Sequence, residues 1–113
     1  MATSPALKPV AFHILASLSD EDKHGYAIMQ AVRQLSGGRI PIQTGSFYRH
    51  LGRLIATGLV VEAAVRPADD DPRRGAYYRL TPRGREALAG EAQRLSDLLK
   101  AIGPLRPSRK GSH

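Results

Sequence analysis

Between Thr44 and Leu80 the chain changes hydrophobic period, from the three-to-four spacing of a helix to the alternation of strands. Few small folds accommodate a short amphipathic helix followed at once by two strands around a long charged loop. In the first part, Phe47, Leu51, Leu54 and Ile55 fall on one face at about 100° of rotation per residue, with Ser46, Arg49 and Arg53 opposite. The first set is expected in the core and the second in solvent. Thr44 or Ser46 supplies an N-cap, and Gly58 closes the helix.

After Gly58, Leu59, Val61, Ala63 and Val65 alternate with Val60, Glu62, Ala64 and Arg66. Ala76, Tyr78 and Leu80 alternate in the same way with Tyr77 and Arg79. Two strands of a hairpin are expected, joined by "PADDDPRRG". That loop is much longer than a tight two-residue turn, and long loops on rigid scaffolds often carry function.

Three more helices surround this unit. Val10, Ile14, Leu15 and Leu18 predict a first helix over about Pro5 to Leu18, stopped by the acidic turn "SDEDKHG". Tyr26, Ile28, Met29, Val32 and Leu35 predict a second over Gly25 to Leu35, ended by Ser36-Gly37-Gly38. "RIPI" adds at most a short strand, because Pro41 cannot donate to a ladder. Thr81-Pro82 opens a fourth helix, to Ile102, with a capping hydroxyl and a first-turn proline. Gly84 leaves its capping box incomplete. Leu88, Ala92, Leu95, Leu99 and Ile102 repeat there at steps of four and three, the spacing of a coiled-coil seam. This seam either lies on its own domain or packs on a second copy, and a twofold dimer is the commonest way to bury it.

The fold class is therefore mainly α with a small β-hairpin. The expected divisions are a helix-and-hairpin domain over 1–80, a helix for partner packing over 81–102, and a basic tail over 103–113. A chain of 113 residues suits one domain with a modest core. Absence of cysteine excludes disulfide staples and thiolate zinc sites. The N-terminal apolar run is interrupted by Lys8 and His13 and lacks a signal-peptide pattern, so a soluble, unexported, cytoplasmic protein is expected.

Charge points to the partner. Seventeen Lys and Arg against ten Asp and Glu leave a formal +7, mostly from arginine, which forks onto phosphate and guanine edges. Catalysis finds no support. There is no phosphate-binding or dinucleotide glycine loop, "TGSFY" lacks the second glycine of a nucleophile elbow, and Ser46 near His50 has no orienting acid. His13, His24, His50 and His113 show no ligand spacing, so neither a metal nor a cofactor is expected, and His24 is assigned to the turn before the second helix.

Three sets of words, in this order, now bear on identity. They are His24-Gly25-Tyr26; Gly45-Ser46-Phe47-Tyr48-Arg49 with Leu51, Arg53-Leu54 and Gly58-Leu59; and Tyr77-Tyr78-Arg79-Leu80-Thr81-Pro82 with Gly84. Over roughly residues 10 to 90 the chain resembles the PadR family of bacterial winged helix-turn-helix transcriptional regulators, in a short form with one C-terminal helix. The resemblance implies a homodimer whose C-terminal helices pack together. Its paired third helices would enter successive major grooves of a pseudo-palindromic operator, and its wings would touch flanking backbone or the minor groove. Such members usually repress genes. It also implies a small-molecule effector at the dimer interface, between Phe12 and the partner's fourth helix. Ile55 stands where members commonly carry an acidic residue, and the chain has no Trp for stacking planar ligands.

On this reading Gln43, Thr44 and Ser46 meet base edges or nearby phosphates, because an inserted helix reads the groove with its first turn. Tyr48, Arg49 and Arg53 hold phosphates, and Arg73 and Arg74 anchor the wing. Packing beside the core is the other reading of Tyr48. Phe12, Leu88, Ala92, Leu95, Leu99 and Ile102 form the dimer interface. Asp69, Asp70 and Asp71 would repel phosphate, so they form the turn, point away from DNA, or pair with Arg73 and Arg74. A protein-binding winged helix without sequence-specific DNA binding is the alternative.

Overall fold

The computed structural model describes residues 6–64, 67 and 70–105. In chain order they form α1 (Pro9–Ser17), β1 (Lys23–His24), α2 (Gly25–Leu35), α3 (Thr44–Ala56), β2 (Val60–Glu62), a 3-10 turn (Pro72–Arg74), β3 (Tyr77–Leu80) and α4 (Pro82–Ile102). Helices α2 and α4 have the predicted limits. Helix α1 begins later than predicted, at Pro9, with Lys8 extended before it. The proline ring disfavours helical backbone at the preceding residue, so the helix starts at Pro9 itself.

The predicted hairpin is the larger part of a three-stranded antiparallel sheet of order β1-β3-β2. Lys23 pairs with Tyr78 and His24 with Tyr77 on one edge of β3, while Val60, Val61 and Glu62 pair with Leu80, Arg79 and Tyr78 on the other. Inward positions also differ from the expected alternation. Val60 and Ala63 are buried while Val61 is exposed, and Tyr77 is more buried than Tyr78. So short a strand cannot hold a strict alternation once its flanks turn; Val65 and Arg66 lie outside the described residues. "RIPI" forms no strand, although Ile42 enters the core.

Ile14, Leu15, Ile28, Val32, Phe47, Leu51 and Val60 are fully buried, so α1, α2, α3 and β2 close around one core. The burial of each such side chain contributes about 1.5–3 kcal/mol. Ile55 is 39% exposed, against expectation, because it stands roughly 80° around α3 from Phe47, at the margin of the stripe. Tyr26 and Leu35 also leave the predicted stripe of α2 for solvent. Tyr26 lies nearly opposite Ile28 on the helix, and Leu35 is the last residue before the glycine turn.

The join between α3 and β2 anchors α4. Gly58 ends α3 with a positive φ of 80°, a backbone region that favours glycine. The Thr81 hydroxyl donates to the Gly58 carbonyl at 2.6 Å and accepts from the Gly84 amide at 2.9 Å. The Thr81 amide donates to the Leu59 carbonyl at 3.1 Å. Ala87 and Leu88 then pack against the core, and buried Glu91 accepts from the Leu7 amide at 3.3 Å and pairs with Arg94. Beyond Glu91 the helix leaves the core, and Leu98, Leu99 and Ile102 are exposed. No helix among the described residues is long and apolar enough to cross a membrane.

Candidate nucleic-acid interface

Helix α3 presents its polar side outward because Phe47, Leu51 and Leu54 bury the other. Gln43 is the N-cap, with extended backbone and no capping bond from its side chain, and not Thr44 or Ser46 as the sequence predicted. Thr44 and Ser46 lie one and three residues too far along, already in helical backbone. Gln43, Thr44 and Arg49 are exposed, as is Arg53, while Ser46 is half-buried. Neither Arg49 nor Arg53 makes an ion pair among the described residues.

The outermost line of α3 runs through Gly45, Arg49, Gly52 and Ala56, all exposed. A Cβ added at Gly45 or Gly52 would meet nothing within 4 Å. Nothing among the described residues therefore requires glycine at position 52, where it costs about 1 kcal/mol relative to alanine. Sequence reasoning missed this line, although two glycines bracketing an arginine at helical spacing were its signal.

Tyr48 belongs to a different neighbourhood. Its ring meets Phe47 edge to face at 4.9 Å and its hydroxyl lies over Gly25, where a Cβ would collide with it, yet the residue is still 48% exposed. Both readings of Tyr48 thus hold in part. It lines a cleft of about 500 Å³ with His24, Tyr26, Gln30, Arg73 and Arg74. Tyr26 and Gln30, not singled out from sequence as site residues, are joined here by a 2.8 Å bond from the Gln30 amide to the Tyr26 hydroxyl. His24 caps α2 by accepting from the Ala27 amide at 3.3 Å, the turn role expected of it. Burial, with the nearby Arg74 charge, lowers its pKa and favours the neutral ring that capping needs.

Of the alternatives for the acidic wing, the described residues adopt two, turn formation by Asp71 and pairing with Arg73 and Arg74. Asp71 caps the 3-10 turn by accepting from the Arg73 amide at 3.0 Å, and meets the Arg73 guanidinium at 2.9 Å. That hydrogen bonding holds the Asp71 carboxyl below the usual range. Asp70 accepts from Arg74 at 3.1 Å and from the Tyr77 hydroxyl at 2.6 Å. Both wing arginines thus carry carboxylate partners, unlike Arg49 and Arg53. Asp69 lies outside the described residues. No group of three or more His, Asp or Glu gathers at metal-binding distance among those described.

A family model, described as the transcriptional regulator PadR-like family, matches residues 14–90. A Mycobacterium tuberculosis transcriptional regulator is 36% identical over 93 residues, covering 82% of this chain and 81% of that protein. An uncharacterized 37.1 kDa protein in a Streptomyces fradiae transposon is 41% identical over 85 residues, covering 75% of this chain but only 22% of that protein. Among solved structures, a PadR family transcription regulator from Clostridium difficile superposes with a TM-score of 0.70 at 23% identity, over 84% of this chain and 95% of that one. This likeness places the four helices and three strands in the same fold.

Proposed function

The chain belongs to the PadR-like family of transcriptional regulators, and we propose that it works as a homodimeric repressor that binds a pseudo-palindromic operator. The outer line of α3 carries this reading. Among the described residues Arg49 makes no ion pair and the two glycines flanking it have open space above them, which suits close approach of helix backbone to a groove, where a side chain at either glycine would hold the helix away. Gln43, Thr44 and Ser46 then read base edges from the leading turn, while Arg49, Arg53 and Tyr48 hold phosphates. Arg73 and Arg74 contribute less than their charge implies, because phosphate must displace Asp71 and Asp70. The exposed stripe of α4 would supply the twofold contact, with Phe12 of α1 facing the fourth helix of the partner. The exposed line of α3 offers no large apolar side chain, which disfavours a protein partner there.

Titration of duplexes at increasing salt tests the reading. Affinity is expected to fall with a log-log slope near −0.9 for each phosphate neutralised, and Arg49→Ala should make that slope shallower by about one such unit. Absence of binding to any duplex at low salt, including the upstream region of the protein's own gene, removes the proposal. Gly52→Ala adds an effect of opposite signs. Stability should rise by up to about 1 kcal/mol while operator affinity falls, and thermal melts beside the same titration would show both. Unchanged affinity would mean that this line of α3 does not touch DNA.

A further inference from the structure

A second cleft, of about 640 Å³, opens on the side of the molecule where the start of α1, the later turns of α3 and the first turns of α4 converge. Its floor is aliphatic: Leu7, Ala11, Leu54, Leu59 and Ala87. Leu54 belongs to the core, and the other four are partly buried against it. Lys8, Arg53 and Arg83 stand among its lining residues with His50. The three cations make no ion pair among the described residues, and with His50 neutral they outnumber Glu86, the one acid among the described lining residues. His50 stands beside these cations. Its pKa is lowered first by burial and then by Arg53, Lys8 and Arg49.

From this arrangement we infer that the cleft is a binding site for a small amphipathic anion, a flexible aliphatic chain carrying one carboxylate. Its size lies in the range of small-molecule sites, and its division into apolar floor and charged lining is what such sites use to fix orientation. The chain lies over Leu7, Ala11 and Leu59 while the carboxylate meets Lys8 and Arg83. Among the described residues no Phe, Tyr or Trp lines the cleft, so they offer a planar aromatic ligand no such ring to stack on. The lining residues named here all come from one chain. Arg53 belongs to both this cleft and the outer side of α3, so a bound carboxylate competes with a phosphate for it. That consequence alone rests on the DNA reading.

The test uses the intact protein without DNA, isotope-labelled for nuclear magnetic resonance and titrated with decanoate, 1-decanol and inorganic phosphate in parallel. Decanoate is expected to saturate at one molecule per chain, to shift the signals of Leu7, Ala11 and Leu54, and to raise the pKa of the His50 ring, because a nearby anion favours imidazolium. Decanol should bind at least tenfold more weakly, and phosphate should leave the floor signals unmoved. The exposed double substitution Lys8→Gln and Arg83→Gln, confirmed folded by its dispersed spectrum, should weaken decanoate about tenfold or more. Equal binding of decanol, or decanoate affinity unchanged in the double variant, would reduce the cleft to an apolar surface and overturn the inference. So would shifts confined to Leu98, Leu99 and Ile102, or no shift at all, as expected if another segment or a second copy already fills the cleft. Because DNA is absent, these outcomes are independent of the operator experiment.

Discussion

Replacing Leu95 and Leu99 together by glutamate should convert the protein to monomers and lower operator affinity about a thousandfold, toward its non-specific level. Leu99 is 69% exposed and Leu95 half-buried, so the chain's own fold loses little when they become polar. The double variant should therefore keep its helical circular dichroism while light scattering reports half the mass. Two facts set the size of the effect on DNA. The apolar stripe continues through Leu98 and Ile102, so carboxylates placed within it would be desolvated against the apolar side chains of the proposed partner and would repel their counterparts there. A monomer can engage only one half-site, and the linked second binding event disappears. Persistence of the dimer in light scattering would show that the proposed seam on α4 is not the contact holding the two copies.

The proposed seam is a local repeat along one helix, and the limits of α2 and α4 were legible because their signals are local too. Gly37-Gly38, Gly58 and Thr81-Pro82 act through the backbone of their immediate neighbours. What escaped sequence reading depends on residues far apart in the chain. Strand β1 is two residues long and exists because β3 offers it a free edge more than fifty positions later, which no property of Lys23 and His24 announces. Ile55 and Tyr26 were assigned inward by spacing alone, whereas the width of the buried stripe depends on what covers it. The wing aspartates left three readings open; their pairs with Arg73 and Arg74 are local to the loop, whereas the hydrogen bond that Tyr77 of β3 donates to Asp70 had no local signal. The basic aliphatic cleft had no local signature, since α1, α3 and α4 each supply only a part of it. Glycine at position 52 was visible as a letter, but its meaning required knowing that nothing described in the protein stands within 4 Å.

Gly84→Ala is expected to destabilise the protein by about 2–4 kcal/mol, the reverse of what alanine ordinarily does inside a helix. A Cβ at position 84 would overlap the Leu59 carbonyl and press on Leu80 Cδ1, and a backbone carbonyl cannot swing aside as a side-chain tip can. The same carbonyl accepts from the Thr81 amide, and the Thr81 hydroxyl bridges Gly58 to the Gly84 amide. Relieving the overlap therefore draws α4 off the join between α3 and β2 and strains those hydrogen bonds, each worth about 1 kcal/mol. Gly90, on the same helix with nothing within 4 Å of its added Cβ, is the matched control, and Gly90→Ala should stabilise by up to about 1 kcal/mol. Thermal melts at one fixed protein concentration should separate the two variants by at least about 10 °C, at roughly 4–8 °C per kcal/mol for a domain near this size. If Gly84→Ala melted with Gly90→Ala, the close approach of α4 to Leu59 would not exist in solution. The contact also has a bearing on DNA, because α4 carries the proposed seam and its angle at Gly84 sets how far apart two copies of α3 stand. A surviving fraction of folded Gly84→Ala dimer should therefore lose more affinity for the native operator than for a single half-site.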